Sequence, residues 1–439
     1  MPHRKNTAGL KPERMPVPAI VTIPMSMHIG APAKPVVNIG DEVRVGQLIG
    51  EAVGFVSSPI YSGVSGKVKK LDDMQMPDGR FIPAVTIETD GQQTISETIV
   101  PPNIKNLQEF LDAVRLSGVV GLGGAGFPTA VKLTVKDLSL IEAVIINGAE
   151  CEPYITSDTR TMLDDTDLIW EGVELLKKYL QVKRVIIGIE DNKPECIGAF
   201  RKLCKAGDGV EIKALPAMYP QGGEKVLIYN TIGRVVPEGK LPIDAGAIVI
   251  NCTTLAAVAR YIKTGMPLVE KYVTVDGSAV KNPKNVIAPI GTPMKDVFDF
   301  CGGFRAEPKK VLYGGPMMGL AATNLDAPIL KNTNAILAFG DREAVLPKET
   351  ACIKCGRCVS HCPFNLAPTD IETAFMLKKT EDLEALKVNL CMECGCCAYV
   401  CPANRPLVQV NKLAKAMLRD YQAAQKAAEE MLKAKEGKK

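Results

Sequence analysis

A cysteine pattern that occurs twice constrains this chain more than any other feature of its 439 residues. Each copy reads C-x2-C-x2-C-x3-C-P and ends in proline. The cysteines and prolines are Cys352, Cys355, Cys358, Cys362 and Pro363 in the first copy, and Cys391, Cys394, Cys397, Cys401 and Pro402 in the second. Two intervening residues let a tight loop turn successive sulfurs toward one centre. This stretch must therefore fold around groups that sulfur ligates.

The spacing predicts two [4Fe-4S] clusters. It is typical of two-cluster ferredoxins, in which three closely spaced thiolates hold one cluster and the fourth, before the proline, belongs to the other. We therefore assign the first cluster to Cys352, Cys355, Cys358 and Cys401. The second cluster correspondingly takes three cysteines of the second copy and the last one of the first copy: Cys391, Cys394, Cys397 and Cys362. Cys396 is left over, and we expect it to be a buried small residue or a sulfur near a cluster.

Zinc and disulfides are the other uses of closely spaced cysteines. Zinc sites usually take two C-x2-C pairs, and they need neither a third cysteine two residues further on nor a trailing Cys-Pro. Disulfide geometry excludes most pairs in loops this short. The N-terminal region has no apolar signal segment, so we expect a reducing compartment, where disulfides are rare. Iron-sulfur clusters therefore fit the pattern best.

The composition is that of a globular protein with several domains. Hydrophobic residues make up 46% and charged residues 23%, which is enough apolar material for sizeable cores. At roughly 150 residues per domain, the length predicts about three or more domains. The net charge of +4 is small and no basic patch is interleaved with aromatic residues, so we expect no nucleic-acid partner. The most apolar run, residues 246–259, is too short and too interrupted to span a membrane.

The first hundred residues predict a small β domain. Residues 1–30 are proline-rich, and we expect the early charges of His3, Arg4 and Lys5 to be solvated. Residues 36–68 contain short apolar segments with a turn every few residues, which is typical of a barrel or a sandwich. Their order resembles the biotinyl/lipoyl carrier fold, but the lysine that carriers modify has no counterpart. The resemblance therefore implies a scaffold.

The next region alternates between helical and strand patterns, as α/β domains do. A predicted helix over residues 107–116 precedes a glycine loop in which Gly121, Gly123 and Gly126 satisfy G-x-G-x-x-G. Glycines let backbone N–H groups approach a flat ring or a phosphate, and Lys132 follows with a positive charge. By itself, the loop is either a nucleotide site or a plain tight turn.

Polar residues follow the ends of predicted strands in the same region. The strand over residues 143–146 ends in the polar loop 147–153, and the strand over residues 247–250 ends in the loop 251–255. A third loop, residues 219–225, carries two glycines, an acid and a base. Open α/β sheets bind ligands beyond the carboxyl ends of their strands. We expect the three loops to close on one ligand, although each alone is also typical of an ordinary loop.

Two further regions complete the chain. Residues 272–303 resemble the β-grasp module of the soluble-ligand-binding type (SLBB). A tight turn over residues 314–319 carries Met317 and Met318, which we expect to pack against the protein rather than contact a cofactor. Residues 410–439 are rich in Ala, Lys and Glu, and they predict an exposed helix that ends in a charged tail.

Over residues 121–303, the chain resembles the NADH- and flavin-binding subunit of respiratory complex I. The motifs of that family run G-R-G-G-A-G-F-P-T-G-x-K-W, N-x-D-E-S-E-P-G, Y-x-x-G-E-E-T and N-x-E-T-L, and their counterparts begin in the same order at Gly121, Asn147, Tyr219 and Asn251. Over nearly its full length, the chain resembles the RnfC family, which supplies one subunit of the Rnf complex, a membrane ferredoxin:NAD oxidoreductase. The segments 27–32 and 314–319, the glycine loop and the duplicated cysteine pattern carry this second resemblance.

The resemblance implies a multidomain α/β fold in five parts. These are a barrel-sandwich (biotinyl/lipoyl-like) domain at 1–100, an α/β FMN- and NADH-binding domain at 101–262, a β-grasp (SLBB-like) module at 263–345, a two-cluster ferredoxin-like helical domain at 346–405 and a charged helical tail at 406–439. All four boundaries are expectations from the sequence.

The resemblance also implies roles for individual residues. The residues expected to hold FMN are Gly121, Gly123, Gly124, Lys132, Asn147, Glu150, Tyr219, Gly222, Asn251, Thr253 and Thr254. Phe127, Glu152 and Glu224 fall on positions that contact the nicotinamide nucleotide. The positions that depart from the complex I pattern are Leu122 for an arginine, Ala149 for an aspartate, and Gly223 and Thr253 for glutamates. The departures concern the NADH contacts more than the flavin contacts.

The function implied is electron transfer. Hydride would pass between NAD(H) and non-covalent FMN, and single electrons between FMN and the two clusters. Cofactors carry this chemistry, so we expect no catalytic triad. In the Rnf setting, electrons flow from reduced ferredoxin through partner subunits to NAD+, while membrane subunits transport ions. We expect a peripheral protein at the cytoplasmic face of the bacterial membrane, bound to membrane subunits and to an iron-sulfur subunit that accepts electrons from ferredoxin.

Two alternatives remain open from the sequence alone. One is a flavin/Fe-S cobalamin reductase of a microcompartment, which has the same architecture and the same kinds of cofactor. The other is a ferredoxin-like electron carrier or scaffold without nucleotide chemistry. Absence of bound flavin would favour the second alternative.

Overall fold

The computed structural model describes residues 2–76 and 79–436, with side chains described to residue 430. The chain divides into two compact units, Met1–Ala344 and Val345–Lys439. The division falls one residue before the predicted start of the cluster domain, and the predicted domain boundaries stay predictions. Residues 77–78 of the predicted barrel-sandwich and 437–439 of the predicted tail lie outside the described residues.

The N-terminal β region forms two antiparallel sheets, and its first strand pairs in a different sheet. The strands are β1 (Glu13–Arg14), β2 (Ile20–Pro24), β3 (Lys34–Pro35), β4 (Glu42–Val43), β5 (Leu48–Glu51), β6 (Ile60–Tyr61), β7 (Gly66–Gln75) and β8 (Phe81–Thr89). One sheet has the order β2-β8-β7-β4 and the other β3-β5-β6. Alternate residues such as Val21 and Ile23 face inward and are fully buried. Gly66 has no room for a side chain, because a Cβ there would lie 2.1 Å from the Glu88 carbonyl oxygen.

The α/β region follows with alternating helices and strands. Its elements are α1 (Leu107–Leu116), α2 (Thr129–Leu133), β9 (Ala143–Gly148), α3 (Ser157–Asp164), α4 (Thr166–Leu180), β10 (Val185–Glu190), α5 (Pro194–Leu203), β11 (Val210–Leu215), α6 (Glu224–Ile232), β12 (Ala247–Asn251) and α7 (Cys252–Thr264). Helix α1 lies where the sequence predicts it, and Asn106 caps it by accepting the Glu109 N–H.

The four strands of this region form a parallel sheet in the order β11-β10-β9-β12. Strands β9, β10 and β12 are almost entirely buried, as expected for a parallel sheet with both faces covered. The strand order reverses between β9 and β12, where Asn147 and Asn251 are paired side by side. Ligands bind in such sheets beyond the carboxyl ends of the strands at the point of reversal. This edge is therefore where the fold places a site.

A six-stranded mixed sheet closes the first unit. It contains β13 (Glu270–Asp276), β14 (Lys284–Pro289), β15 (Lys310–Tyr313), β16 (Leu320–Ala321) and β17 (Ala335–Phe339), with α8 (Met294–Phe300) packed on it and α9 (Asp341–Ala344) at its end. The order is β1-β14-β13-β17-β15-β16, so the N-terminal segment supplies an edge strand. The predicted β-grasp module is confirmed.

The second unit is helical. Its helices are α10 (Arg357–Ser360), α11 (Pro368–Met376), α12 (Thr380–Ala385), α13 (Cys396–Tyr399) and α14 (Leu407–Glu436). The two cysteine loops repeat one backbone conformation: φ is +56° at Lys354 and +61° at Glu393, and +74° at Gly356 and +78° at Gly395. The duplicated sequence therefore folds into a duplicated structure.

The prediction of an exposed C-terminal helix is wrong for the first turns of α14. Leu407, Ala414 and Leu418 are fully buried, and α14 packs against α11 and α12. Together with Val410, which is also buried, they recur every three to four residues and form an apolar stripe, which the Ala- and Lys-rich composition hides. Residues 423–430 are exposed, as predicted. Within the described part of the chain, no helix has the length and apolar character that crossing a membrane requires.

Candidate functional site

The glycine loop lies at the edge of the parallel sheet where the strand order reverses. The Gly121 N–H donates to the Phe127 carbonyl oxygen at 2.8 Å, which closes the loop on itself. The Leu122 N–H donates to the Thr254 hydroxyl at 2.9 Å and so ties the loop to the start of α7. A Cβ on Gly123 would lie 2.5 Å from Nδ2 of Asn251. Only glycine allows this approach to the sheet edge.

The outer side of the same loop is open. Gly123, Gly124 and Ala125 are exposed, and a Cβ on Gly124 would have no heavy atom within 4 Å. Asn332 holds the loop from another region by donating to the Gly124 carbonyl oxygen at 3.0 Å. A bare backbone at the reversal point suits a flat ring such as the flavin of FMN, which is the fit that the sequence predicts.

The segment 27–32 supports the glycine loop from behind. The Ile29 N–H donates to the Gly126 carbonyl oxygen at 3.1 Å, and a Cβ on Gly126 would lie 3.2 Å from the Met27 carbonyl oxygen. Gly126 also has φ +71°, which glycine adopts without strain. The barrel-sandwich segment thus shapes the loop, a role that the sequence did not reveal.

The loops after β9 and before α6 meet as predicted. Asn147 donates from Nδ2 to the Gly222 carbonyl oxygen at 3.0 Å, and the Gly222 N–H donates to Sγ of Cys151 at 3.2 Å. Tyr219 lies in the same loop as Gly222. Asn147, Tyr219 and Gly222 are therefore brought to one edge of the sheet.

The residues predicted for the FMN phosphate hold a carboxylate that the sequence analysis missed. Asn251 donates to Asp158 at 2.7 Å and Thr253 donates to it at 2.6 Å. Asn251 also caps α7 by accepting the Thr254 N–H at 3.1 Å. Asp158 lies in the first turn of α3, where acidic residues are common. The N-terminus of α7 favours negative charge, and phosphate binding there stays a prediction.

Glu150 directs its carboxylate at the start of α3. It accepts the Asp158 N–H at 2.6 Å, the Thr159 N–H at 3.2 Å and the Thr159 hydroxyl, all at the start of α3. Burial raises the pKa of this carboxyl. The predicted flavin contact of Glu150 stays a prediction, and the structure gives its side chain a second task.

The prediction that Lys5 is solvated is wrong. Its ammonium group donates to the carbonyl oxygens of Glu150 at 2.6 Å, Glu152 at 2.9 Å and Ile155 at 2.6 Å. It also lies 3.8 Å from Oε2 of Glu150, and burial lowers its pKa. The loop after β9 is strained, with φ +49° at Glu150 and +69° at Tyr154, and Lys5 fastens it.

The three predicted NADH contacts lie in different surroundings. Glu152 accepts the Met317 N–H at 3.1 Å and the Met318 N–H at 2.8 Å, and burial raises its pKa to about 7. Glu224 forms an ion pair of 2.8 Å with Lys132, the residue predicted to approach FMN. Phe127 lies in the glycine loop and is half-buried. Met318 is 44% exposed, so part of its surface packs against the protein, and the expectation for the two methionines stays a prediction.

A cavity of about 410 Å³ lies behind the glycine loop. It shares Leu122 and Thr253 with the predicted site, and Gly123, Gly124 and Asn147 do not line it. Its walls are mainly apolar and come from the barrel-sandwich, α7 and β13. The cavity therefore meets the glycine loop at Leu122 and the predicted site at Thr253, without including the exposed glycines.

The cysteines assigned to the second cluster lie together, as do two of those assigned to the first, and both ligand sets stay predictions. The four cysteines assigned to the second cluster line one small cavity, and Cys396 lines the same cavity. Cys358 and Cys401, assigned to the first cluster, pack around Leu407 in one apolar group. Cys352 and Cys355 are exposed. Cys396 is buried, as expected.

Four family models match the chain, in the order that the sequence predicts. They are described as the RnfC barrel sandwich hybrid domain over residues 1–92, the Nuo51 FMN-binding domain over 114–260, the SLBB domain over 272–321 and the 4Fe-4S dicluster domain over 351–405. These matches confirm the predicted fold class, and they confirm FMN and [4Fe-4S] clusters as its cofactors.

Two of the proteins that are similar over most of the chain are C subunits of ferredoxin:NAD+ oxidoreductase complexes. The one from the proton-translocating complex of Clostridium ljungdahlii is 45% identical over 371 residues, which are 83% of this chain and 80% of that one. The one from the Na+-translocating complex of Acetobacterium woodii is 42% identical over 382 residues, 84% of each chain. A crystal structure of an NAD+-reducing [NiFe]-hydrogenase in the H2-reduced state shares the fold, with a TM-score of 0.50 and 21% identity over 71% of this chain and 63% of that one.

Proposed function

Because the chain belongs to the RnfC family of ion-translocating ferredoxin:NAD+ oxidoreductase complexes, we propose that it moves electrons between NAD(H) and two [4Fe-4S] clusters by way of FMN. It is an electron-transfer subunit and an oxidoreductase. Neither the cobalamin reductase nor the scaffold without nucleotide chemistry is favoured by the relatives that it matches.

One observation carries the proposal. The bare backbone of Gly123 and Gly124 lies at the point where the sheet reverses its strand order, beside Asn251 and the N-terminus of α7. A ring on the glycines and a phosphate at the helix start use the two features that such a site offers. Bound FMN supplies the change from two-electron to one-electron chemistry, because nicotinamide exchanges electrons in pairs and a cluster exchanges them singly.

In this proposal the residues of the chain position the cofactor and its substrate. Gly121, Gly123 and Gly124 leave the ring face free, while Asn147 fixes the neighbouring loop through Gly222. Thr254 holds the glycine loop in place through the Leu122 N–H. The ligand roles of Lys132, Glu150, Tyr219, Asn251 and Thr253 follow from the family resemblance and are part of the same proposal.

The nicotinamide nucleotide approaches the exposed side of the glycine loop in this proposal. Phe127 lies on that loop, and Glu224 lies beside Lys132. Glu152 contributes through the turn 314–319, whose Met317 and Met318 amides it holds. The NADH contact of this chain therefore includes a turn of the β-grasp module as well as the carboxylate itself.

The cysteine sets named above hold the two clusters, with one cysteine of each copy exchanged. In the complex, we place the protein at the cytoplasmic face of the membrane, peripheral to it. Its neighbours are an iron-sulfur subunit that takes electrons from ferredoxin and membrane subunits that transport ions. Electrons then flow from ferredoxin to NAD+.

Anaerobic titration of the iron-reconstituted chain tests the proposal. The chain is loaded with FMN, gel-filtered, and titrated with NADH while flavin absorbance is followed. We expect one equivalent of FMN to remain bound and NADH to bleach it. Stable FMN binding without bleaching would remove NADH as the substrate, and failure to retain FMN would favour an electron carrier without nucleotide chemistry.

A further inference from the structure

The two copies of the cysteine pattern differ at one buried position in the helix that follows each of them. Helix α11 begins six residues after Cys362, and α14 begins six residues after Cys401. Ten residues after these same cysteines, the first copy has Glu372 and the second has Asn411. Both side chains are buried, at 5% and 1% exposure. The duplicated fold thus places a carboxylate and an amide at equivalent positions.

Asn411 directs its amide at a sulfur. Its Nδ2 donates to Sγ of Cys391, a proposed ligand of the second cluster, at 3.5 Å. Its Oδ1 is buried, and within the described residues it has no hydrogen-bond partner. Leaving an amide oxygen unpaired in the interior costs free energy, so a leucine of similar volume would pack more favourably. The hydrogen bond to the Cys391 sulfur therefore explains why this buried position has a polar side chain.

Lys415, one turn further along α14, holds the loop that carries Cys391. Its ammonium group donates to the Cys391 carbonyl oxygen at 3.0 Å and forms an ion pair of 2.6 Å with Glu393. The loop, and with it the sulfur, is therefore fixed against the helix that supplies Asn411.

Glu372 has the opposite chemistry. Its Oε2 accepts from Nε of Arg405 at 2.8 Å, and Arg405 also pairs with Glu349 at 3.1 Å. An ionised carboxylate accepts hydrogen bonds and donates none. The first copy therefore lacks, at this position, the donor that the second copy has.

We propose that Asn411 raises the reduction potential of the cluster held by Cys362, Cys391, Cys394 and Cys397. The proposal rests on the cluster ligands proposed above. Reduction adds one electron to the cluster and takes its core from 2+ to 1+, without breaking a bond or moving a proton. Much of the added charge reaches the sulfurs, so an N–H donor stabilises the reduced form, and hydrogen bonds to sulfur are a known control of cluster potential. Residue 411 lies beyond the matched dicluster region, residues 351–405.

The test is a redox titration of the full chain with both clusters present, followed by electron paramagnetic resonance. Asn411→Leu removes the donor at nearly constant volume. We expect one of the two cluster potentials to fall by ~59 mV. For one electron, this corresponds to a tenfold change in the reduction equilibrium constant. The other potential and the iron content should not change. Gln409→Leu, which removes an exposed amide from the same helix, is the matched control and should shift neither.

Two further variants separate the possible failures. Cys391→Ser should remove the signal whose potential Asn411→Leu shifts. If Cys391→Ser removes one of the two cluster signals while Asn411→Leu shifts neither potential, the tuning role is wrong and the ligand set stands. If Cys391→Ser leaves both signals intact, the ligand set itself is wrong, and the tuning role falls with it. Should Asn411→Leu lose iron, Asn411→Asp replaces it in the titration, and an unchanged potential there overturns the proposal.

Discussion

The cluster unit and the sheet-edge site are two functional regions built in opposite ways. Each cluster takes three of its proposed ligands from a run of seven residues, and the loops repeat their backbone angles in the two copies. The sheet-edge site draws on Lys5, on the glycine loop and on residues as far along the chain as Asn332. Local sites are specified by spacing, whereas distributed sites are specified by topology. A single substitution should therefore act locally in the first region and at a distance in the second.

The largest effect should come from a cluster ligand. Cys394→Ser removes one thiolate from a proposed set of four, so we expect one cluster to be lost and the other kept. Iron and acid-labile sulfide per chain should fall by about half, since two equal clusters are present. Cys396→Ser is the control, because this neighbouring cysteine has no ligand role in the proposal. Equal losses of iron in the two variants would show that Cys396 is a ligand.

Lys5→Met tests the sheet-edge site at a residue that is far in sequence from the glycine loop. Three carbonyl oxygens and the Glu150 carboxylate lose their cation, and removing one member of a buried ionic contact costs about 3–5 kcal/mol. The fluorescence of Trp170, the single tryptophan, reports unfolding of this region from helix α4. Lys11→Met changes an exposed lysine in the same way and should cost less than about 0.5 kcal/mol. Equal unfolding midpoints in urea would contradict the fastening role of Lys5.

Glu152 should make the same region sensitive to pH. Burial raises its pKa from the ordinary 4.5 to about 7, so the folded chain holds a proton that the unfolded chain releases between these values. The stability that this group contributes is complete below pH 4.5 and falls as the pH rises toward 7, by an amount of the order of 3 kcal/mol. Glu152→Gln stays neutral and should lose less stability between pH 5 and 7.5 than the unchanged chain. Parallel profiles of unfolding free energy would contradict this.

Substitutions at the two neighbouring glycines should separate effects on stability from effects on FMN binding. Gly123→Ala forces a Cβ to 2.5 Å from Asn251 and should lower the stability of the flavin-free chain by about 1–3 kcal/mol. Gly124→Ala meets no protein atom within 4 Å, so its stability should change by less than about 0.5 kcal/mol. The added methyl group would stand where the flavin ring lies, and we expect about tenfold weaker FMN binding by fluorescence quenching. Unchanged FMN affinity in Gly124→Ala would show that the flavin ring does not lie against Gly124.

The sequence predicted those parts of the molecule in which the partners are close in the chain. The cysteine spacing, helix α1 and the strands before Asn147 and Asn251 all follow from local patterns, and the structure contains each of these elements. The glycine loop was ambiguous by itself. Its place at the strand reversal depends on the sheet order, which no local pattern contains.

Other residues were missed because their partners are far away in the chain. Lys5 looked like a solvated charge at an irregular N-terminus, yet its acceptors lie some 145 to 150 residues further along. Asp158 was not singled out in the sequence, and its partners Asn251 and Thr253 lie more than 90 residues away. Asn411 was hidden in an Ala- and Lys-rich segment whose composition suggested an exposed tail. In each case packing, and not local pattern, decides the role.

The most direct measurement is anaerobic stopped-flow spectroscopy of the chain carrying FMN and both clusters, mixed with NADH while flavin and cluster absorbance are followed together. If electrons reach the clusters only through the sheet-edge site, flavin bleaching comes first and the loss of cluster absorbance follows. In FMN-free chain with intact clusters, cluster absorbance should stay constant. Cluster reduction at the same rate without FMN, or no change in either absorbance with FMN bound, would contradict the proposed path of the electrons.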